Sequence, residues 1–444
     1  MSSYHPISNV AYLCKVTERA VVTQVQDHLT EHNLYAETQS AYRRHHSVET
    51  ALVRLQNDIL LSLDQRKEAI LVLLDFSSAF DTIDHSILLS RLSQRFGFDD
   101  TVLKWIRSYL LGRSHVVKIG NSLSKPVDDV CGVPQGSVIG PLLYTLYVTP
   151  IEDIIRAHNL GAMLYADDTQ VYTIFNCADR DIAITNMNKC LQDIRIWATR
   201  NRLTLNDSKT EVVHFTSKFP PRCNPVISIC MGGKDISTSE VVRNLGVMMD
   251  QHLTMKAHVK KICRSAMVAI RKISNIRAYL SQQTAEMLIH AFVTSRLDSC
   301  NALLGNLPDV EIKRLQHIQN IAARIVTRTH KHERITPVLL QLHWLPVRYR
   351  IEFKILLMVY KILNGTAPSY ISSLVNQYTP ARSLRSADMN LLQTPRVRTE
   401  YYGDRAFGKL APTLWNSLPL LLRDASSLYT FKKDLKTYMF NSIK

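Results

Sequence analysis

Three aspartates stand where the sequence predicts that strands end or turn. Asp75 closes the apolar run "AILVLLDF", and Asp167 and Asp168 interrupt the apolar segment "MLYADDTQVYTIF". Two adjacent carboxylates repel each other and lose hydration when buried, so the pair is costly unless a cation lies against it. If the predicted hairpin and the strand are neighbours in one sheet, all three carboxylates meet at one edge.

Clustered carboxylates are typical ligands of hard divalent ions, and Mg²⁺ is the common ion where phosphate is the substrate. Two such ions can clamp the attacking and leaving oxygens of a phosphoryl transfer. Each feature also has a structural explanation, because aspartates suit turns and often cap a following helix. A nearby loop, "GVPQGS", favours the chemical interpretation, since glycines allow close approach to a ligand and Gln135 offers both a donor and an acceptor.

The elements that must position these residues are mixed helices and strands. Apolar spacing predicts helices within residues 1–68, and "DHSILLSRLSQRFG" is a helix that Asp84 can cap and Gly97 can close. The segment "SHVVKIGNSLSKPVDDVCG" predicts a hairpin, Pro141 begins an apolar helix, and "KTEVVHF" is a strand.

The C-terminal part is mainly helical and strongly basic. Residues 253–444 hold 29 lysines and arginines against 11 aspartates and glutamates, whereas the whole chain has a net charge of +16. This excess favours a polyanionic partner, although a merely solvated basic surface explains it equally well. One predicted helix there has an apolar face consisting of Val259, Ile262, Ala266, Ala269, Ile270, Ile273 and Ile276. Its other face carries Lys256, Lys260, Arg264 and Arg271.

Composition excludes several classes of protein. Hydrophobic residues make up 46% of the chain and charged residues 21%, which is typical of a globular protein. The eight cysteines form no C-x-x-C pair, so reduced thiols in a nuclear or cytosolic protein are the simplest expectation. No apolar segment is long enough to span a bilayer, and the N-terminus resembles no signal peptide.

Five segments together carry a family resemblance. They are "LLDFSSAFDTIDHSILLSRL", "GVPQGSVIGPLLYTLYV", "MLYADDTQVY", "LTLNDSKTEVVHF" and "NLGVMMD". Their order and spacing resemble the successive motifs of reverse transcriptases, most closely those of animal non-LTR (LINE-type) retrotransposons. The resemblance covers about residues 4–345, because "YHPISNVAYLCKVTERAV" and "TQSAYRRHHSVETAL" are similar to that family's finger motifs.

The resemblance implies a role for individual residues of the palm. Asp75, Asp167 and Asp168 match the triad that binds two Mg²⁺ ions, for which Mn²⁺ is a possible substitute. Phe80 matches a residue under the incoming sugar whose bulk would clash with a ribose 2′-OH.

The resemblance also covers residues that contact the nucleotide and the nucleic acid. Gln135 and Gly136 match the loop against the nucleotide and template, and Leu245 and Gly246 match the primer grip. Lys209 matches a lysine proposed to protonate pyrophosphate, although it could equally be an ordinary lysine at a strand edge. The basic helix with Lys256, Lys260, Arg264 and Arg271 falls where the thumb is expected, which favours nucleic-acid binding by its cationic face.

The pattern departs from the family near the N-terminus. His5, in "HPIS", replaces an arginine that grips the triphosphate, and a mostly neutral imidazole lacks the bidentate charge of a guanidinium. The sequence also begins close to this motif. It is therefore expected to be an N-terminally truncated element product that has no endonuclease domain.

The expected fold class is α+β, a right-hand polymerase fold. We expect partial fingers over residues 1–68, a palm of antiparallel sheet with inserted finger elements and the primer grip over 69–252, a helical thumb over 253–345, and a mainly helical C-terminal region of unknown role over 346–444.

The expected function is RNA-directed DNA polymerisation, with an RNA template, a DNA primer and deoxynucleoside triphosphates as partners. The alternative is a catalytically weak or inactive remnant that at most binds nucleic acid, and a less favoured one is a scaffold. The expected location is the nucleus or cytoplasm.

Overall fold

The computed structural model describes residues 8, 10–77, 80–218, 227–379 and 389–443. These residues form both helices and strands, so the predicted α+β class is confirmed at that level. Among them, no helix is both long enough and apolar enough to cross a membrane.

The elements follow one another along the chain with helices and strands interspersed up to residue 237. They are α1 Tyr12–Glu31, α2 Val48–Asp64, β1 Glu68–Leu74, β2 Phe76–Ser77, α3 His85–Phe96, α4 Asp100–Leu110, β3 Ser114–His115, β4 Lys118–Ile119, β5 Ser122–Leu123, β6 Val127–Asp128, α5 Gly140–Val148, α6 Pro150–Ala157, β7 Gly161–Tyr165, β8 Asp168–Phe175, α7 Arg180–Arg200, β9 Thr204–Leu205, β10 Glu211–Phe215, β11 Ser228–Met231 and β12 Lys234–Ser237.

After one further hairpin, the rest of the described chain is mainly helical. Its elements are β13 Val241–Asn244, β14 Val247–Asp250, α8 Lys256–Ile276, α9 Gln282–Ile289, α10 Ser295–Asp298, α11 Asp309–Thr327, α12 Ile335–Gln341, α13 Val347–Leu363, α14 Ser369–Ser372, α15 Phe407–Asn416, α16 Leu420–Arg423 and α17 Leu428–Asn441.

The chain divides into two compact units that are interleaved in the sequence. The first unit takes residues 1–46, 70–212 and 225–238, and the second takes 47–69, 213–224 and 239–444. The predicted fingers, palm, thumb and C-terminal region are four consecutive segments, and this two-unit division does not test them, so they stay a prediction.

A four-stranded sheet with the order β10–β1–β8–β7 supports the aspartates. Strand β1 consists of the run "EAILVLL", in which Ala69, Ile70, Leu71 and Val72 have no exposed surface. Strands β7 and β8 form an antiparallel hairpin whose last residue pair is Tyr165 and Asp168. Burial of β1 on both sides explains why the sequence there is a continuous apolar run rather than an alternating one.

Local sequence features determine several element ends as expected. The Asp84 carboxylate accepts hydrogen bonds from the backbone N–H groups of Ser86 and Ile87 and so caps α3, and Gly97 ends this helix in the left-handed conformation. Pro141 lies in the first turn of α5. The predicted strand "KTEVVHF" contains β10.

Two sequence-based expectations need correction. The apolar face of α8 is buried at six of the seven predicted positions, but Ile276 is 46% exposed because the helix ends there. Cys177 is disulfide-bonded, so the expectation of reduced thiols throughout is wrong for this residue, whereas the thiols of Cys14, Cys131, Cys190, Cys230, Cys263 and Cys300 are free.

Candidate active site

The tight turn between β7 and β8 presents the paired aspartates. It consists of Ala166, which has φ +57°, and Asp167, and Asp168 begins β8. A left-handed backbone is uncommon for alanine, so other contacts must hold it. The buried Gln39 Oε1 atom accepts the Ala166 N–H at 3.2 Å and the Ala41 N–H at 2.9 Å. Gln39 therefore anchors the turn from a distant part of the sequence.

Asp75 directly follows β1, the neighbour of β8. Its backbone carbonyl accepts the Asn206 N–H at 2.9 Å, which fixes the turn that carries Lys209. The Lys209 Nζ atom lies 3.3 Å from Asp75 Oδ2. That oxygen is buried and accepts no hydrogen bond from the described residues, so the ion pair with a largely exposed lysine is its main compensation.

The three carboxylates act on one another electrostatically. Burial raises the pKa of Asp168 to about 6, and repulsion from Asp167 and Asp75 adds to the rise. Burial likewise raises the pKa of Asp167, where Asp75 also raises it and Lys209 opposes the change. The structure thus brings together Asp75, Asp167, Asp168 and Lys209, although more than a hundred residues separate the first from the last in the sequence.

Tyr144, on α5, belongs to the same cluster and was not singled out from the sequence. Its side chain is fully buried, and its hydroxyl has no hydrogen-bond partner in the described part of the chain. Burial raises its pKa well above the ordinary value, and Asp167, Asp168 and Asp75 raise it further. Nothing in the apolar run "PLLYTLYV" distinguishes this tyrosine from a core residue.

Phe80 and Gln135 lie on two segments that are joined by hydrogen bonds. The ring centroid of Phe80 is 4.8 Å from that of Tyr144, and the Phe80 carbonyl accepts the Val133 N–H at 2.8 Å. The Gln135 Nε2 atom donates to Asp81 Oδ1 at 3.1 Å. Gly136 has φ +98°, a conformation that a residue with a side chain rarely adopts.

His5 lies outside the described residues, so its predicted nucleotide-binding role at the triphosphate stays a prediction. The N-terminal segment does reach this loop at Ser8, whose N–H donates to the Gln135 carbonyl at 2.7 Å.

The aspartate cluster has the chemistry of a cation site, although its described side chains do not converge in a metal-binding geometry. No group of three or more His, Cys, Asp or Glu residues in the described ranges is placed to hold a metal ion. However, Asp75 Oδ2 is buried and accepts no hydrogen bond within the described ranges, and two neighbouring carboxylates have raised pKa values. Hard divalent ions prefer carboxylate oxygens and relieve such repulsion, so these residues fit the predicted metal.

The predicted primer-grip residues form a turn in the second unit. Leu245 and Gly246 have φ values of +44° and +88° and connect β13 to β14. The Gly246 carbonyl accepts a hydrogen bond from Lys261 Nζ at 2.9 Å, and Lys261 lies on α8. Lys261 was not predicted from the sequence, where it looks like any other lysine of a basic helix.

The predicted cationic face of α8 is exposed. Its members are Lys256, Lys260, Arg264 and Arg271. Lys260 and Arg264 also line a groove between α8 and α11, together with Lys313, Arg314 and His317. The second helix therefore adds positive charge that the sequence alone did not place beside α8.

Comparisons with known proteins agree with the motifs. A family model described as reverse transcriptase (RNA-dependent DNA polymerase) matches residues 1–249. Two Drosophila melanogaster proteins, the probable RNA-directed DNA polymerases from transposon BS and from transposon X-element, are each 29% identical to the chain, over 335 and 331 residues respectively. Each match covers 73% of this chain and 36% of the relative, so the chain spans about a third of these proteins.

The chain is also similar to the polymerase of another mobile element and aligns weakly with a solved telomerase structure. The RNA-directed DNA polymerase from mobile element jockey of Drosophila funebris is 27% identical over 279 residues, which is 62% of this chain and 30% of that protein. A telomerase from Candida tropicalis, in complex with a fragment of telomeric RNA, aligns with a TM-score of 0.43 and 9% identity over 95% of this chain and 56% of that one. Because the family model matches more than half of the residues, the chain belongs to the reverse transcriptase (RNA-dependent DNA polymerase) family, as its motifs predicted.

Proposed function

We propose that this chain carries the polymerase centre of an RNA-directed DNA polymerase, which extends the 3′-OH of a DNA primer along an RNA template. The observation that carries the proposal is the cluster of Asp75, Asp167 and Asp168, in which burial, and then repulsion between the carboxylates, raises the pKa values of the paired aspartates. Strongly perturbed carboxylates beside one lysine are typical of functional sites. The family and the mobile-element relatives support the same conclusion.

The three aspartates would hold the divalent ions on which reverse transcriptases depend, with Mg²⁺ as the proposed metal and Mn²⁺ as a possible substitute. When bound, two such ions stabilise the attacking and leaving oxygens of the transfer. Lys209 lies beside Asp75, where its ammonium could donate a proton to the pyrophosphate that leaves. This role would explain why Lys209 is placed beside Asp75, because an ion pair with a largely exposed lysine stabilises a fold only a little.

The nucleotide would lie between Phe80 and the Gln135–Gly136 loop. The contact of the Phe80 ring with buried Tyr144 restricts its movement, so its bulk can exclude a ribose 2′-OH. Gly136 lets the backbone approach the nucleotide closely. His5 would stand near the triphosphate, where it supplies less charge than the arginine of related motifs.

The remaining elements fit a right-hand polymerase. In this proposal the β10–β1–β8–β7 sheet is the palm, residues 1–68 belong to partial fingers, and α8 and α11 belong to a thumb whose basic groove binds phosphates of the nucleic acid. The turn at Leu245 and Gly246 would contact the primer.

Primer extension tests the proposal. Purified protein receives an RNA template, a DNA primer, deoxynucleotides and Mg²⁺. We expect Asp167→Asn to reduce extension by more than about 100-fold, because even outer partners of metal ligands commonly matter by 10- to 100-fold. Asp235→Asn, on exposed β12, is the matched control and should extend normally.

Two outcomes contradict the polymerase proposal. One is extension that survives in Asp167→Asn, which would show that the activity does not use this cluster. The other is no extension by the wild-type protein together with salt-sensitive RNA binding, which would favour a remnant that only binds nucleic acid. In that case a His5→Arg variant shows whether this one residue accounts for the loss.

A further inference from the structure

A carboxylate next to the proposed nucleotide site, Asp81, lies against the side chain of Gln135. The Gln135 Nε2 atom donates to Asp81 Oδ1 at 3.1 Å. Asp81 and Gln135 are both half-buried, so water competes only partly for the donor and acceptor of this hydrogen bond. Neither the motif pattern nor the charge of the sequence singled out Asp81.

The chemistry of the pair determines which way the Gln135 amide points. An ionised carboxylate only accepts hydrogen bonds, so the amide must turn its NH₂ group towards Asp81. The amide oxygen is then directed away from Asp81. A glutamine without such a partner could present either its donor or its acceptor to a ligand, and the site would lose selectivity.

The backbone of the loop does not depend on the Asp81 carboxylate. Gly132 N–H donates to the Ile83 carbonyl at 2.8 Å, and the Val133 N–H donates to the Phe80 carbonyl at 2.8 Å. A Cβ atom added at Gly132 would lie 2.8 Å from the Asp81 carbonyl oxygen, which shows how closely the two segments approach. Because these contacts involve main-chain atoms, a changed side chain at residue 81 leaves the loop attached.

We propose that Asp81 is a positioning residue that orients the Gln135 amide, so that its carbonyl oxygen, a hydrogen-bond acceptor, faces the incoming deoxynucleotide. This inference rests on the proposed function, since it assumes that Gln135 contacts the nucleotide. In this proposal Asp81 itself would contact neither the nucleotide nor a metal ion. Its effect on the reaction passes through Gln135.

Asp81→Asn and Asp81→Leu test the inference by steady-state primer extension. Asparagine can either accept from or donate to Gln135, and leucine can do neither, so both variants remove the fixed orientation. We expect the KM for the deoxynucleotide to rise about tenfold, with a smaller change in kcat, because a hydrogen bond to a charged group is lost. Asp84→Asn is the control, since Asp84 caps α3 and should affect stability rather than this KM.

A double-mutant cycle shows whether the effect passes through Gln135. In a Gln135→Ala background, Asp81→Asn should cause no further rise in KM, because the group that it orients is already absent. Additive losses in the double variant, or a KM within twofold of wild type in both Asp81 variants, would overturn the inference.

A second readout separates this inference from the proposed function. If the wild-type protein does not extend primers, the proposed function fails, but NMR of protein with ¹⁵N-labelled glutamine still reports the amide. The Gln135 side-chain signal, identified by its loss in Gln135→Ala, should shift in Asp81→Asn and not in Asp84→Asn. An unchanged signal in Asp81→Asn would refute the orienting contact whether or not the protein is active.

Discussion

Replacement of Asp168 by asparagine should make the metal-free protein more stable at neutral pH. The pKa of Asp168 is about 6 in the folded protein, against an ordinary value of 3.8. The folded state therefore retains a proton that the unfolded chain has already lost between these two values, and stability falls as the pH rises through this range. Asparagine carries no charge and removes that cost.

The size of the effect follows from the shift after allowance for solvent. About two pKa units correspond to roughly 3 kcal/mol as an upper bound. Asp168 keeps part of its surface in solvent, and screening reduces the value, so we expect about 1 kcal/mol. The groups that act on Asp168 and its neighbours are Asp167, Asp75 and Lys209, and all of them remain in the variant.

Chemical denaturation without divalent ions, at pH 5 and at pH 7.5, measures this difference. The advantage of Asp168→Asn in free energy of unfolding should be clear at pH 7.5 and should shrink at pH 5, where the wild-type carboxyl is largely protonated. Asp235→Asn should show neither effect. The reasoning is refuted if Asp168→Asn is less stable than wild type at pH 7.5, or if its advantage does not depend on pH.

Two further predictions concern contacts within the second unit. Lys261→Met should speed hydrogen exchange at residues 244–248 about fivefold, because it removes the hydrogen bond to the Gly246 carbonyl, whereas the neighbouring Lys260→Met should not. Asp64→Ala should lower the free energy of unfolding by about 3 kcal/mol, since the buried Asp64 carboxylate accepts the Arg398 N–H at 2.9 Å and the Thr399 N–H at 2.7 Å. Denaturation that is unchanged by Asp64→Ala would contradict the second prediction.

Much of the site could be predicted from local sequence because its elements have local causes. A continuous apolar run predicts a buried strand that ends at Asp75, and two aspartates between apolar segments predict a hairpin turn. The order of the motifs along the chain identified Lys209 and the Gln135 loop as candidate site residues. The cap at Asp84 depends only on the two or three residues that follow it.

The supporting contacts could not be predicted in this way. Gln39 is 127 residues from the Ala166 turn that it anchors, and Asp64 is 335 residues from its partner Thr399. A hydrogen bond between such distant residues leaves no periodic pattern in the sequence. Tyr144 was missed for a different reason, because a buried tyrosine in an apolar helix looks like an ordinary core residue.

The charges of the aspartate cluster favour the proposed functional site over a structural ion pair. If Lys209 served only to neutralise the aspartates, their pKa values would be expected to fall, because an opposite charge stabilises the ionised form. Lys209 does oppose the rise at Asp167, but burial and repulsion between the carboxylates outweigh it, so the pKa values of Asp167 and Asp168 rise, and Lys209 remains 64% exposed. The fold therefore holds the carboxylates together despite the cost of their burial and their repulsion, through buried β1 and the anchored turn. Such a conflict between local electrostatics and the fold is expected where positive charge is to be supplied by a bound cation.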